Sequence, residues 1–356
     1  MNLTLRLIGT IGSPFVLDQT PPKNKSEALE LYSHAIKNKI GLLYLESLKD
    51  QEKLEEFGLK PEYQKQCMRY NEQLTTAIRI SKLFNSLGVN YAIFKSIMPF
   101  PAIPNDIDII HFGSAKEYKN LVEILLNSGY MEVKCDVDTE QRTFHDTRMC
   151  KHPNTPEKDV YDVDIYQKIS ASHIVYLDKR KLENHVTEIN MSNDKIKVLK
   201  PEAELVVIAI HSIIPEQLHT LLAYYATLYY FKKMTSKELD RFIRIARDNN
   251  VVFPVRVHCS LVAKLHQVGH GFIPERMETV LDELGNVTSE IRKFARNNFK
   301  MPHRYSWSVI IKTLLEKAKE GEFRRSALKQ VLSMANPKLA KWVVWNIIWR
   351  RRRETY

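Results

Sequence analysis

Along the first eighty-seven positions, apolar residues recur at steps of three and four, the spacing of amphipathic helices. Within 26–48 the series is Leu29, Tyr32, Ala35, Ile36, Ile40 and Leu43. Within 63–87 it is Leu74, Ala77, Ile78, Ile80, Leu83 and Phe84, and Gly88 stops it. From Val89 the period changes. Residues 89–94 and 107–112 read as short strands, and 115–127 as an amphipathic helix closed by Ser128-Gly129. Three further strands are expected at 130–135, 142–150 and 160–165, with a loop containing Pro153, Asn154 and Pro156 between the last two. After Lys200 the helical spacing returns and stays. Pro201 followed by Glu202 and Glu204 is a helix start, and Pro215, Ser236, Pro254, Pro274, Pro302 and Pro337 punctuate the later helices. The pattern therefore predicts an α+β chain in three parts: a helical region over 1–87, an α+β core over 88–200 and a helical domain over 201–356.

Composition narrows the class. With 44% hydrophobic and 27% charged residues, the 356-residue chain is globular rather than disordered, and only 11 Gly argues against a glycine-rich or all-β fold. Four scattered cysteines (Cys67, Cys135, Cys150, Cys259) make no disulfide framework, and no charged-then-apolar segment follows Met1. A reducing, cytoplasmic setting is the expectation. The longest apolar stretch, 205–231, is broken by His211, Pro215, Glu216, Gln217 and His219, so no transmembrane segment is predicted.

Charge is unevenly placed. From Arg292 to Tyr356 there are 17 Lys and Arg against 4 Asp and Glu, or +13, which leaves −2 for the rest of a chain whose total is +11. Such a basic end suits a polyanion, either a nucleic acid or an anionic membrane surface, or else a set of solvated helix faces.

The chemistry-bearing residues lie in Asn105-Asp106-Ile107-Asp108-Ile109. Residues two apart on a strand project to one side, so Asp106 and Asp108 present two carboxylates together while Ile107 and Ile109 face a core. Adjacent anions repel unless a cation joins them, and Mg²⁺, which takes oxygen ligands, is the natural one. Asp162-Val163-Asp164-Ile165 repeats the device 56 residues later. A single Asp-x-Asp is a common turn cap. Two, each alternating with β-branched residues in the strand-rich part of a helical chain, predict a shared carboxylate site for the in-line displacement of phosphoryl groups.

Phe94-Lys95-Ser96 at a strand end, a ten-residue step and Asp106-Ile107-Asp108-Ile109 together resemble the signature of the DNA polymerase beta-like nucleotidyltransferase superfamily. That signature is a hydrophobic residue with Gly-Ser or Gly-Gly, about ten residues, then alternating Asp and hydrophobic positions, with a third Asp on a later strand. The leading helices, and the Lys before the small residue, are similar to an uncharacterised branch related to AbiEii-type toxins and antibiotic nucleotidyltransferases. The resemblance spans roughly 70–170. It implies a small mixed-sheet core, with Asp106 and Asp108 holding Mg²⁺ or Mn²⁺ and a third carboxylate completing the site. Val163-Asp164-Ile165-Tyr166 matches the pattern around that third Asp, so Asp164 is assigned the role with Asp162 as runner-up. Ser96 would bind the nucleoside triphosphate, with Lys95 adding charge. Two departures stand out: Lys95 occupies the place of the signature's Gly, and Pro99, Pro101 and Pro104 fill a connection where relatives start a short helix.

Other donors are weaker. Cys135, His145, Cys150 and His152 have zinc-type chemistry, but their spacing matches no compact zinc knuckle. The last helix, 338–353, carries Trp342, Val343, Val344, Trp345, Ile347, Ile348 and Trp349 ahead of the arginine run. Apolar residues on nearly every face favour packing with a basic tail projecting, ahead of contact with a membrane surface.

The expected activity is metal-dependent transfer of a nucleoside monophosphate from a triphosphate such as ATP to an acceptor hydroxyl, releasing pyrophosphate. The basic end suits an RNA acceptor such as tRNA, with Arg324, Arg325, Lys329, Arg350, Arg351, Arg352 and Arg353 as candidate phosphate contacts. One rival is a non-catalytic nucleic-acid-binding protein whose transferase core has decayed, as the missing Gly would suggest. The other is a sugar transferase. That class needs a larger α/β nucleotide-binding domain ahead of its Asp-x-Asp, where this chain is helical.

Overall fold

A computed structural model describes residues 2–16, 18–133, 140–147, 162–171, 173–338, 340–341 and 343–345. Four helices lead the chain: α1 (Leu3–Ile11), α2 (Lys25–Lys37), α3 (Gly41–Asp50) and α4 (Lys60–Ser86). The helical spacing within 26–48 is real, but it belongs to two helices. Asn38 ends α2, Lys39 takes a left-handed φ of 59°, and Gly41 restarts the chain as α3. Ile36 packs over Gly41 at this corner, where a Cβ would have to turn the tip of the Ile36 side chain aside.

The α+β part runs β1 (Tyr91–Phe94), β2 (Asp106–His111), α5 (Ala115–Asn127), β3 (Tyr130–Val133), β4 (Gln141–Asp146), β5 (Asp162–Tyr166), β6 (Ile169–Ala171), β7 (Ile174–Leu177), β8 (Val186–Met191) and β9 (Asp194–Leu199). α5 carries a capping box in which Ser114 and Glu117 each satisfy the other's backbone amide. Hydrophobic alternation locates β1 to β5 within a few residues. It misses the two hairpins after Tyr166, whose strands are short or rich in Lys, Glu and Asn. The β8–β9 turn is made by Ser192 and Asn193, both at positive φ, as a tight two-residue hairpin requires.

Among the described residues, seven strands form one sheet in the order β3-β4-β5-β2-β1-β9-β8. Antiparallel neighbours alternate with two parallel pairs, β5 with β2 and β1 with β9. The pleat gives the two faces different partners. On one face Tyr91, Ile93, Ile107, Ile109, Val163 and Ile165 pack under α4 and α5. On the other, Ala92, Phe94, Ile110 and Tyr166 join a larger core shared with the leading helices and with those that come after the sheet. Asp106, Asp108 and Asp164 have the same parity as this second set, so they stand on the face that the helical body covers.

That body comprises α6 (Pro201–Ile213), α7 (Leu221–Lys233), α8 (Ser236–Asp248), α9 (Val252–His270), α10 (Glu275–Leu284), α11 (Thr288–Arg296), α12 (Trp307–Lys317) and α13 (Gly321–Ser333). A two-stranded ribbon of β10 (Leu218–His219) and β11 (His303–Arg304) ties α6–α7 to α11–α12. Among the described residues no helix is long and apolar enough to cross a membrane. Trp342, residues 346–356 and hence Arg350–Arg353 lie outside the described residues, as do Cys135, Cys150 and His152.

Asn38 locks the α2–α3 corner onto the start of α7. Its buried side chain donates to the His34 carbonyl at 3.0 Å and accepts the Leu221 amide at 3.1 Å, and its own carbonyl accepts the Leu222 amide at 3.1 Å. Replacing Asn38 with Ala leaves a buried helix-end amide without its acceptor. The expected cost is about 1–3 kcal/mol of unfolding free energy, read from urea denaturation of Asn38→Ala against the parent chain.

Candidate metal centre

The parallel pairing of β2 with β5 sets Asp106 opposite Asp162 and Asp108 opposite Asp164. Strand geometry thus places four carboxylates on one face, and the side chains sort them. One oxygen from each of Asp106, Asp108 and Asp164 lies within 4.8 Å of the others, and among the described residues no second cluster of three or more potential ligands forms. Asp162 is outside the group, with Oδ1 2.6 Å from Nδ1 of the buried His145 on β4. The site therefore takes Asp164, the residue matched to the third position, and leaves the runner-up at its margin.

Neighbouring strands hold the carboxylates in place. Thr143 on β4 donates its hydroxyl to Asp164 Oδ1 at 2.5 Å, and Gln141 donates its side-chain amide to Oδ2. Ser96 is buried; its hydroxyl donates to the Phe94 carbonyl at 3.0 Å and accepts the Asp108 amide at 2.8 Å, so it pins the end of β1 to the residue that carries the second carboxylate.

Lys95, at the position where the sequence resemblance places a glycine, has a φ of 58°. That left-handed conformation is costly for most L-residues. Here the backbone is held by Glu204 of α6, whose carboxylate accepts the Lys95 amide at 2.5 Å. The conformation brings Nζ within 3.2 Å of Asp108 Oδ1 and over the rings of Phe94 and Tyr166. Nζ is also 3.3 Å from His211, whose imidazole contacts the Tyr176 hydroxyl at 2.9 Å and Glu216 at 3.3 Å. From the α2–α3 corner, the Lys39 ammonium feels the charges of Glu216, Asp106, Asp108 and Lys95.

Electrostatics reflect this crowding. Burial and the Asp108 charge push Asp106 up to about 7 against the pull of Lys95 and Lys39. Burial, with the charges of Asp106 and Asp108, pushes Asp164 well above the carboxylate range. Burial raises Glu204 to about 8, lowers Lys39, and together with Lys95 lowers His211. The cluster therefore holds more negative charge than its surroundings readily stabilise. Three convergent carboxylates with hard oxygen donors fit a hard divalent cation.

No protein-family model and no curated protein matches the chain. Among solved structures, it is similar to an antigenic nucleotidyltransferase-like protein from Paracoccidioides brasiliensis, at 15% identity over 64% of this chain and 91% of that one, with a TM-score of 0.31. So distant a likeness carries no argument, and the chemistry rests on the geometry of the cluster.

Periodicity locates the aspartates but misses the groups around them. In the sequence, His211 and Glu216 mark only breaks in an apolar run, and Glu204 only a helix start. Arg324, Arg325 and Lys329 are exposed on α13, where Lys329 pairs with Glu140 at 3.0 Å. α13 itself is fastened to β7, with Ser326 accepting the Val175 amide and Gln330 accepting that of His173.

The raised carboxylates give stability a definite pH dependence. A carboxyl whose folded pKa exceeds its unfolded value holds its proton in the fold, so stability declines as pH rises through the interval between the two. The histidines held low by burial, such as His34 and His111, both brought down to about 4, lose stability only below their unfolded value near 6.5. Between pH 6.5 and 8, where Asp106 at about 7 and Glu204 at about 8 still give up protons, the carboxylates therefore dominate. The metal-free protein is expected to melt at a falling temperature across that window, and 5 mM Mg²⁺ or Mn²⁺, an amount on the order of ordinary site affinities, to raise the midpoint more at pH 8 than at 6.5. Calorimetry at the two pH values checks both slopes.

Proposed function

We propose that the chain is a divalent-metal-dependent nucleotidyltransferase that transfers a nucleoside monophosphate from a triphosphate to an acceptor hydroxyl with release of pyrophosphate. The observation that carries this reading is the convergence of Asp106, Asp108 and Asp164 from paired strands, with the Lys95 ammonium beside them. Asp106 and Asp108 would hold Mg²⁺ or Mn²⁺ with Asp164 as third ligand, fixed in orientation by Thr143 and Gln141. When bound, the cation supplies activation of the attacking hydroxyl and neutralises charge on the leaving pyrophosphate. Lys95 meets the β- and γ-phosphate oxygens, and Ser96 positions Asp108 through its backbone amide. The missing glycine no longer favours a decayed core, because Lys95 keeps the left-handed backbone that glycine would adopt.

The acceptor is proposed to be RNA, such as tRNA, on the strength of the +13 carried after residue 291 and of the exposed Arg324, Arg325 and Lys329 on α13. α13 is linked to the site's margin, since Lys329 pairs with Glu140, the neighbour of the Gln141 that binds Asp164.

Asp108→Asn and Asp164→Asn are expected to cut pyrophosphate release by more than about 100-fold while retaining the far-ultraviolet dichroism of the parent, because each removes a metal ligand rather than core packing. Full activity in either variant, or no release with any of the four triphosphates in the parent, overturns the reading. RNA affinity should fall with salt at a log–log slope of about −0.7 to −0.9 per phosphate contacted, and Arg324→Glu with Arg325→Glu should flatten it. A slope unaltered by those changes would direct the search to protein or small-molecule acceptors.

A further inference from the structure

We infer that Lys95 makes cation binding at the aspartate cluster conditional on the triphosphate, by opposing a lone metal ion and attracting the phosphate tail. This deepens the nucleotidyltransferase reading and rests on it. The ammonium comes from the position where the superfamily resemblance places a glycine.

Lys95 is held to the site by backbone structure. It is fixed at φ 58° by the Glu204 carboxylate, and its Nζ is 3.2 Å from Asp108 Oδ1 with its side chain only 10% exposed. A divalent ion on Asp108 would share that carboxylate with the Lys95 ammonium, and two cations a few ångströms apart in a partly buried site repel by several kcal/mol at an effective dielectric of about 20. A triphosphate reverses the sign, because its oxygens accept hydrogen bonds from the ammonium group while its charge offsets both cations. Lys95 has a second polar contact in reach, His211 at 3.3 Å, backed by Glu216 and Tyr176, so it can yield Asp108 Oδ1 without leaving the site. Metal and triphosphate then help one another to bind, and linkage makes that help reciprocal.

The test measures free Mn²⁺ by electron paramagnetic resonance, with and without a non-hydrolysable ATP analogue, on the full chain and on Lys95→Gly, Lys95→Asn and Asp108→Asn. The two lysine variants suit the left-handed position, since glycine and asparagine tolerate that conformation, and dichroism confirms their folding. Removing the ammonium should tighten Mn²⁺ alone by about fivefold or more, weaken the analogue by about tenfold, and shrink the factor by which each ligand improves the other. A purely structural role for the lysine would weaken both ligands together. Mn²⁺ affinity that is unchanged or weaker in both lysine variants, or coupling that survives intact in both, overturns the inference while leaving the metal reading in place. Mn²⁺ binding that is unaffected by Asp108→Asn, or absent throughout with and without the analogue, removes the metal reading and the inference with it.

Discussion

Three carboxylates held side by side on a mostly buried sheet face are the constraint around which the rest of the molecule is arranged. Like charges at this distance do not assemble spontaneously. What assembles them is the apolar alternation of β2 and β5, in which Ile107, Ile109, Val163 and Ile165 must face α4 and α5. Once those side chains are buried, the period of two leaves the aspartates no other face. The free energy of packing one side of the sheet thus holds these carboxyls together, and burial, with their mutual repulsion, raises Asp106 and Asp164.

The opposing charges come from elements distant in the chain. Lys95 is aimed by a backbone turn that α6 stabilises through Glu204, and Lys39 by a helix corner that α7 stabilises through its first amides. Both devices use the same physics, a buried polar group satisfied by a partner in another element, and both make the site depend on how the helical body seats against the sheet. Because the leading and trailing helices share one core with that sheet face, the cluster's electrostatics and the packing of the body are coupled.

The basic character of the chain's end is a different kind of property. Net charge describes attraction to a polyanion at long range and says little about fold. On α13 the exposed Arg324, Arg325 and Lys329 share the outer face with exposed Leu328, Val331 and Leu332, while the inner face serves the β6–β7 hairpin through Ser326 and Gln330.

Local pattern determined the fold class and the strands that bear the aspartates. α5 is a complete amphipathic repeat with its own capping box, and the strands bearing the aspartates alternate cleanly, so their reading needs no knowledge of distant residues. The break at Lys39 was illegible because its cause, the packing of Ile36 against Gly41 and the bonding of Asn38 to α7, is not periodic. β8 and β9 were illegible because their polar residues obscure the alternation and the pairing of β9 with β1 is long-range. The choice of Asp164 over Asp162 came from a motif, but its physical basis is tertiary: β4 supplies Thr143 and Gln141 to the one and His145 to the other. Lys39, Glu204, His211 and Glu216 carry no local mark of their role, because a charge acts through space, and only the folded chain decides which charges are neighbours.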